Sequence, residues 1–548
     1  MPRINIREID NTTSNYYEQL YNVVYIPGFS VVDGASGNQI KAKTPTLFTT
    51  LSDFRSKVGA NAAVFGADEP YIGFDADAVP SSNLLFEAGD KDPSYLYATE
   101  LLKYGIPVVY ERVNESNENT ELATTTTAGT PGVKAFSMTA PTTSTAPTDD
   151  TLSKDVEYYV YIEVTQDATP ICIPHLYLYT GKVESSYTWT PQDDLVSYYI
   201  DGLDKFDPTD PDYTKLKLVL CAISAKDMYQ YLETRFEPDL DNPLFDRNSM
   251  NIKFLTTGGY PVFEYDSNSI VDAMIALASP ADVVDDDHLV VGRGDCIVLV
   301  DHTPNRERPL TGEHSVFHAI NTDATKNSTW ATMVTPWIKY SSVPMPGSFA
   351  YLISMAKAVQ SSPNWLAIAG VNRGVIPGAT DLWTDYRMTR AIADSYMTPA
   401  IIDPEATNPT RYSIFINPIV NIRPYGLTIW GNRTLADTSG AKEKALYYLN
   451  MRSLITEVKK ACYAAAEQLM FEQNSDILWI NFKAKIVPLL DQMASSYGIS
   501  GYKIIKQIPD HKAQLKALIK LFPIYAVEDF DITVMLTDEE VTVEESEE

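Results

Sequence analysis

The sequence predicts a multidomain protein of mixed α/β, or α+β, class. Its parts are an α/β core, a β-rich protruding insertion and extended strands at both ends. Three observations predict it. Strand-like and helix-like apolar patterns alternate on both sides of residues 115–250. Residues 115–250 themselves are Thr/Pro-rich and acidic, with 23 acids against 9 bases, a net of −14. Both ends carry the period-two alternation of half-buried strands. The 548 residues suffice for about three or four domains at roughly 100–200 residues each.

Taken in order, Ile4 and Ile6 alternate with Asn5 and Arg7, which reads as a terminal strand. NVVYIPGFSVVDG (22–34) reads as a buried strand closed by turn residues. In KTPTLFTTLSDFRSKVG (43–59), Ser52 and Asp53 are placed to cap a short helix ending at Gly59. SYLYATELLKYG (94–105) has apolar residues at helical spacing and a Gly stop, and IPVVYERV (106–113) is strand-like. Within 115–250, VEYYVYIEV (156–164) and HLYLYTGKV (175–183) read as strands.

After 250 the α/β alternation resumes, with MNIKFLTTGGYP as strand and turn and SIVDAMIALAS as a helix. DCIVLVDHTP (295–304) reads as a buried strand ending in a polar loop, WATMVTPWI (330–338) as an apolar segment and GSFAYLISMAKAVQ (347–360) as a helix. Leu446, Leu449, Val458, Cys462, Ala465 and Leu469 recur at helical spacing through one long amphipathic helix. Ile477, Ile480, Ala484, Val487 and Leu490 mark a second helix, which Pro488 is expected to kink or shorten. DHKAQLKALIKLF (510–522) reads as a third, with Lys512, Lys516 and Lys520 along one face. DFDITVML (529–536) alternates as a last strand, with Phe530, Ile532, Val534 and Leu536 on one side, before an acidic tail.

The charge and cysteine content exclude several classes. A net charge of −29 (43 Lys+Arg, 72 Asp+Glu) argues against a general nucleic-acid binder, which needs a positive footprint to displace phosphate counterions. Cys172, Cys221, Cys296 and Cys462 are scattered with no C-x-x-C pair, so neither a disulfide framework nor a structural zinc site is expected, and a reducing compartment is the natural setting. MPRINIREID lacks a signal-peptide core, and no apolar run approaches the ~18–20 residues of a membrane span, so a soluble, cytoplasmically made chain is expected.

The features that invite catalysis are isolated. Asp301-His302 close a buried strand, where α/β enzymes place catalytic groups, but no G-x-S-x-G elbow completes a triad. The plainer expectation is that Asp301 caps a turn and His302 is an exposed loop residue. Asp285-Asp286-Asp287-His288 lacks the spacing and Gly turn of a calcium loop. Gly258-Gly259 follow a strand without a dinucleotide fingerprint or a phosphate loop, and His314 and His318 stand at i, i+4 with no further ligand pattern. No enzyme activity, cofactor or metal is expected.

One group of motifs is specific. NPIVNIRPYGLTIWGNRTLA (417–436), LYYLNMRSLITEVKKA (446–461) and FEQNSDILWINF (471–482) together resemble the contractile tail sheath proteins of bacteriophages and related injection machines. The residues that carry the resemblance are Trp430, Gly431, Arg433, Thr434 and Leu435, then Asn450 and Arg452, then Asn474 and Trp479. WATMVTPWIKY, SSPNWLAIAGVNRGVIPG, TPTLFTTLSDFRSKVG and FPIYAVEDFDITVML extend it over most of the chain outside 115–250. Ser453 departs from it, standing where a second arginine is often seen, and Pro346-Gly347-Ser348 stands for a usual Pro-Ser-Gly.

The resemblance implies a structural subunit that stacks as hexameric rings around a tail tube protein and contracts to drive the tube through a host envelope. It implies strand exchange between subunits, through Ile4 and Ile6 at one end and Phe530, Ile532, Val534 and Leu536 at the other. Baseplate and tail terminator proteins are further implied partners, with no nucleic acid bound and no membrane insertion. A place in the virion, after assembly in the host cytoplasm, follows from the same likeness. The division it suggests is an arm (1–21), sheath core (22–114), a variable insertion (115–250), further core (251–400), a tube-facing domain (401–522) and a closing strand with its acidic tail (523–548). Residues 441–522 hold twelve bases and seven acids, so Lys512, Lys516 and Lys520 are expected to meet an acidic tube. Two other readings stay open: the sheath of a bacterial injection system or tailocin, and an α/β enzyme with an acidic accessory domain.

Overall fold

The computed structural model describes residues 22–29, 40–59, 91–113, 120–123, 136–139, 158–164, 172–183, 186–191, 198–201, 217–220, 225–237, 242–247, 250–261, 269–280, 282–285, 288–302, 320, 327–341, 343–384, 387–389, 392–393, 414–439 and 444–528. Ile4, Ile6, Phe530, Ile532, Val534, Leu536, Asp286, Asp287, His314 and His318 lie outside them. The chain divides into two compact units, Met1–Met470 and Phe471–Glu548.

Strands β1 (Val24–Gly28), β2 (Thr46–Phe48) and β3 (Val108–Arg112) open the first unit, with helices α1 (Leu51–Val58) and α2 (Pro93–Lys103) between the last two. The cap of α1 is Thr50, whose hydroxyl accepts from the Asp53 amide at 3.2 Å, and not Ser52 or Asp53. The helix starts two or three residues earlier than those candidates require, because Leu51 and Phe54 turn inward together with Val58. The stop at Gly59 is as expected, with φ +111°.

Seven strands form a sheet of their own: β4 (Thr120–Ala123), β5 (Phe136–Thr139), β6 (Tyr158–Val164), β7 (Cys172–Val183), β8 (Ser186–Pro191), β9 (Tyr198–Asp201) and β10 (Lys217–Leu220). Their order is β8-β7-β6-β5-β4-β10-β9. Helices α3 (Ala225–Arg235) and α4 (Ser269–Ala278) pack together, with β11 (Phe254–Leu255) between them in sequence. Strands β12 (Asp282–Asp285) and β13 (His288–Val291) pair antiparallel, with Asp285 opposite His288.

The remaining elements of the first unit are strands β14 (Ile297–Val300), β15 (Ala331–Thr335), β16 (Ile338–Tyr340) and β17 (Val343–Met345), helices α5 (Gly347–Ala358) and α6 (Gly370–Arg373), strands β18 (Ala379–Leu382), β19 (Asn417–Ile422) and β20 (Gly426–Ile429), and helix α7 (Leu449–Glu467). The main sheet runs β2-β3-β1-β11-β14-β15-β19-β20. From β3 to β19 its strands are parallel, and the two outermost are antiparallel. A parallel sheet needs cover on both faces, which is why β1, β14 and β15 are buried at every position, and β14 reads as an unbroken apolar run. Each fully buried Val, Ile or Leu on these strands contributes roughly 1.5–3 kcal/mol. The sheet crosses the expected 400/401 boundary without a break, since β15 pairs with β19 through Val334 and Asn417.

The second unit is helix α8 (Asp476–Ser495) and a hairpin of β21 (Ile499–Gln507) and β22 (Lys516–Pro523). The helix expected over 510–522 is a strand. Its partner ISGYKIIKQ is rich in β-formers, and the two strands align over eight residue pairs, which outweighs the helical spacing of a short segment. Helix α8 runs through Pro488, which is exposed, so the carbonyl freed at Ala484 faces water. Its buried face is Phe482, Ile486, Leu489, Leu490 and Met493. Ile477 and Ile480, expected inside, are exposed.

Candidate functional site

The motif residues of the first unit meet in one place, where the loop after β20 seats the start of α7. Asn417 is its hub. Its side-chain amide donates to Thr332 Oγ1 (3.0 Å), the Met333 carbonyl (3.0 Å) and the Arg433 carbonyl (2.9 Å). Its carbonyl oxygen accepts from the Arg433 amide at 2.6 Å. The Trp430 amide donates to the Pro418 carbonyl (2.7 Å), and half-buried Gly431 follows it. The Arg433 guanidinium lies 4.2 Å over the Tyr448 ring. Thr434 donates through its amide to the Tyr447 carbonyl (2.9 Å) and through its hydroxyl to that of Leu446 (2.9 Å). The Leu435 amide reaches the Ala331 carbonyl at 2.8 Å, which returns the loop to β15.

Helix α7 begins at Tyr448, whose side chain cannot cap it. Asn432 does so from eighteen residues back: its Oδ1 accepts from the Asn450 amide (3.2 Å), its Nδ2 donates to Asn450 Oδ1 (2.7 Å), and its carbonyl accepts from the Leu449 amide (2.9 Å). Arg452, two residues further along the helix, donates Nε to the Thr329 carbonyl (2.9 Å), bonds the Thr329 hydroxyl and stacks 3.8 Å over Trp330. Burial pulls its guanidinium down to about 10. Ser453 is buried and donates to the Asn364 carbonyl (3.3 Å). Further along, Glu457 forms an ion pair with Lys253 at 2.6 Å, both side chains only 1% exposed. Lys253 also donates to Asn22 Oδ1 (3.0 Å).

In the second unit, Asn474 donates to the Lys512 and Gln514 carbonyls (2.9 and 3.2 Å), pinning the hairpin turn beside the start of α8. Trp479 stacks on Phe482 with centroids 6.0 Å apart and carries Lys483 at 5.5 Å. Lys516 and Lys520 lie on β22 and share one face, while Lys512 sits in the turn; they are not a helical stripe. The opposite face meets α8, where Tyr502 donates to Asp491 (2.6 Å) and Lys506 pairs with Asp476 (2.9 Å).

Asp301 and His302 both make structural bonds. Asp301 and His302 are both buried, so the expectation of an exposed loop histidine is corrected. Asp301 caps α5 from a neighbouring strand, accepting from the Ser348 amide (3.1 Å) and hydroxyl, because the cap residue Pro346 offers no oxygen. Tyr97 OH lies 2.5 Å from that hydroxyl. Burial raises the Asp301 carboxyl to about 7 against these hydrogen bonds. His302 Nε2 lies 2.7 Å from Thr335 Oγ1, and its carbonyl accepts from the Trp337 indole at 3.0 Å.

The order of the parallel strands reverses between β1 and β11, the place where α/β proteins hold nucleotides. Gly258 and Gly259 lie in the turn after β11 there, at positive φ, and a Cβ on Gly258 would lie 2.2 Å from the Pro27 carbonyl oxygen. The anion position at the start of α2 is taken by the Asp92 carboxylate. It accepts from the Ser94 amide (3.1 Å), the Phe29 amide (3.0 Å) and Tyr260 OH (3.2 Å), and burial raises it to about 6. Among the described residues no cluster of metal-ligating side chains occurs, and no helix is long and apolar enough to cross a membrane.

No family model matches the chain. Over 163 residues, 30% of this chain, the sequence is 29% identical to the tail sheath protein of Vibrio phage KVP40. The matched stretch spans 21% of that relative's length, and with it the resemblance to tail sheath proteins is shown. Among solved structures, the sheath complex of an extracellular contractile injection system (PVC) in the contracted state aligns with a TM-score of 0.45 at 14% identity, over 98% of each chain. The contracted helical sheath of the anti-feeding prophage aligns with a TM-score of 0.45 at 12% identity, over 98% of this chain and 99% of that one. A sheath tail protein from Desulfitobacterium hafniense gives 0.42 at 9%, over 96% and 100%.

Proposed function

We propose that the chain is a structural subunit of a contractile phage tail sheath. It polymerises on itself as hexameric rings stacked helically around a tail tube, and contraction drives the tube through the host envelope for genome delivery. The observation that carries this reading is the 163-residue likeness to a phage tail sheath protein. It gains support from the convergence of Asn417, Asn432, Arg433, Thr434 and Asn450 on one seat for α7. Such a seat fixes geometry without exposing a reactive group, which suits a subunit that moves as a rigid body. The reading assigns no catalysis and no cofactor, and places the chain in the virion with tube, baseplate and terminator proteins as partners.

The second unit offers the docking place for exchanged strands. Its sheet has two strands, so both edges are unpaired among the described residues. Ile4 and Ile6 of one neighbour, and Phe530, Ile532, Val534 and Leu536 of another, would extend it by strand addition. Burying each large apolar residue yields roughly 1.5–3 kcal/mol, comparable in sum with the ~4–15 kcal/mol that association costs. Stable rings therefore need further contacts beyond the strands. Lys516 and Lys520, with Lys512 at the turn, face an acidic tube, and the 115–250 sheet projects outward. Negative-stain microscopy of the purified chain tests the reading: striated hollow tubes or stacked rings support it, and uniform small particles at every concentration and salt overturn it.

A further inference from the structure

Nine of the twelve large apolar side chains exposed among the described residues lie in the second unit, although it is much the smaller of the two. Four of the nine mark two faces. On α8, Ile477 (69% exposed), Ile480 (57%), Ala484 and Pro488 follow one another at steps of three or four residues, on the side away from buried Phe482, Ile486 and Leu490. The stripe is about 16 Å long at the rise of an α-helix. Asp491 is the one charged side chain on that side of the helix. One of its oxygens accepts from Tyr502 OH at 2.6 Å, and the other is left for a cation. Pro488 brings no amide to the Ala484 carbonyl, so a backbone acceptor also stands open within the stripe.

The hairpin presents a matching surface on the other side of the unit. Along β22, Leu518, Lys520 and Phe522 are the exposed positions, opposite Ile505, Lys503 and Gly501 of β21. The alternate positions face α8, where Tyr502 meets Asp491 and Lys506 meets Asp476. From Leu518 to Phe522 the outer face runs about 13 Å, close to the length of the α8 stripe. Lys503 and Lys520 stand directly opposite each other, where like charges repel. Lys516 is met by Asp510 at 2.9 Å, whereas among the described residues Lys503 and Lys520 pair with no carboxylate. A two-stranded sheet covered by a helix on one face alone is marginal, and its second face needs cover. The piece that fits is an apolar helix face bearing an acceptor and a carboxylate.

We infer that, in the chain free of a tail tube, the α8 stripe of one copy packs on the outer hairpin face of a second copy. Ile477, Ile480 and Pro488 then cover Leu518 and Phe522, and Lys503 and Lys520 reach Asp491 and the Ala484 carbonyl. The first unit already uses lysines in this way: Lys459 donates to the Gly294 carbonyl (2.6 Å) and Lys460 to the Ile252 carbonyl (2.7 Å). A second copy is the occupant because this chain supplies both halves, matched in length and in charge. The two faces lie on opposite sides of one unit, so the contact is heterologous and does not close on itself. Each copy covers one neighbour and is covered by another. The contact is separate from strand addition at the hairpin edges, and it rests on the second unit alone, not on the sheath reading.

Disulfide trapping in the full chain tests it. Chains carrying Ala484→Cys and Leu518→Cys, both at exposed positions, are purified separately and mixed over a range of concentrations in a glutathione buffer. Mass spectrometry of the linked peptides should find position 484 of one copy joined to position 518 of another. Such mixed links should exceed links between like chains at least about fivefold, because a heterologous contact brings unlike faces together. Adding Lys503→Glu and Lys520→Glu to the Leu518→Cys chain should lower the yield about threefold or more, and Asp491→Lys in the partner chain should restore most of it. Like and mixed links in equal yield, no 484-to-518 link at any concentration, or a yield unmoved by charge reversal would each overturn the inference. Electron microscopy of the same mixtures separates it from the sheath reading. Striated tubes without the link would overturn the inference and leave that reading standing, and the link without tubes would uphold it and count against that reading.

Discussion

Asp301 and Asp92 are two carboxyls buried at helix starts, and both hold protons more tightly than a free aspartate does. The cause is desolvation, which outweighs the amide and hydroxyl donors around them. The consequence for stability has a definite sign. A carboxyl whose folded value is about 7 and whose ordinary value is 3.8 binds more protons folded than unfolded between those limits. Stability from this group is therefore full below pH ~4 and declines as pH rises towards ~7. Asp301→Asn keeps an acceptor for the Ser348 amide but cannot ionise. Thermal unfolding measured from pH 4 to 7.5 should show the variant losing part of the wild-type decline, so that its relative stability improves towards neutrality. A constant offset between the two curves would mean that Asp301 ionises freely in the fold.

Helix α7 is seated by groups that lie far away in sequence, and its energetics follow from that. Capping comes from Asn432, and the buried charge of Glu457 is met by Lys253. Removing one member of such a pair strands the other charge, at a cost of about 3–5 kcal/mol, whereas replacing both by apolar groups is often close to neutral. Glu457→Gln should thus lower the denaturation midpoint sharply, and adding Lys253→Met should recover most of the loss. A double variant no better than the single one would show that the pair holds α7 by something besides charge balance. The period-3.6 apolar pattern of α7 was legible in the sequence, and so was the W-G-N-R-T-L motif. The four-residue spacing of Lys512, Lys516 and Lys520 was not decisive, because i and i+4 share a side both in a helix and in a strand. Only the pairing of 499–507 with 516–523 settles the strand, and the same pairing brings in Lys503, which no local pattern singled out.

At the scale of the molecule, the chain joins a large body with a parallel sheet to a small helix-and-hairpin unit after Met470. A two-stranded sheet is marginal alone, and each of its edges can accept a further strand. Deleting 529–548 removes the alternating Phe530, Ile532, Val534 and Leu536 together with the tail, and should leave a soluble subunit that forms neither rings nor tubes. Deleting only 538–548 keeps those four residues and should preserve assembly. Light scattering and electron microscopy of the two truncations separate the roles of strand and tail. Tubes from the shorter chain would mean that the strand completes its own subunit.

The sequence by itself determined the alternation of strands and helices, the buried runs of β1, β14 and β15, the helices α4, α5 and α7, and the motifs by which the chain resembles tail sheath proteins. These are properties of short windows, where period and turn chemistry act within a few residues. Tertiary structure alone decided which atoms complete those elements. Asp301 caps α5 across forty-seven residues, Asn432 caps α7 across eighteen, and Asn417 bonds β15 across eighty-five. It also decided that β19 continues the main sheet and that 516–523 is a strand. The physical reason is common to all of these. A buried donor, acceptor or strand edge must find a partner, and the partner is chosen by proximity in the folded chain rather than by spacing along it.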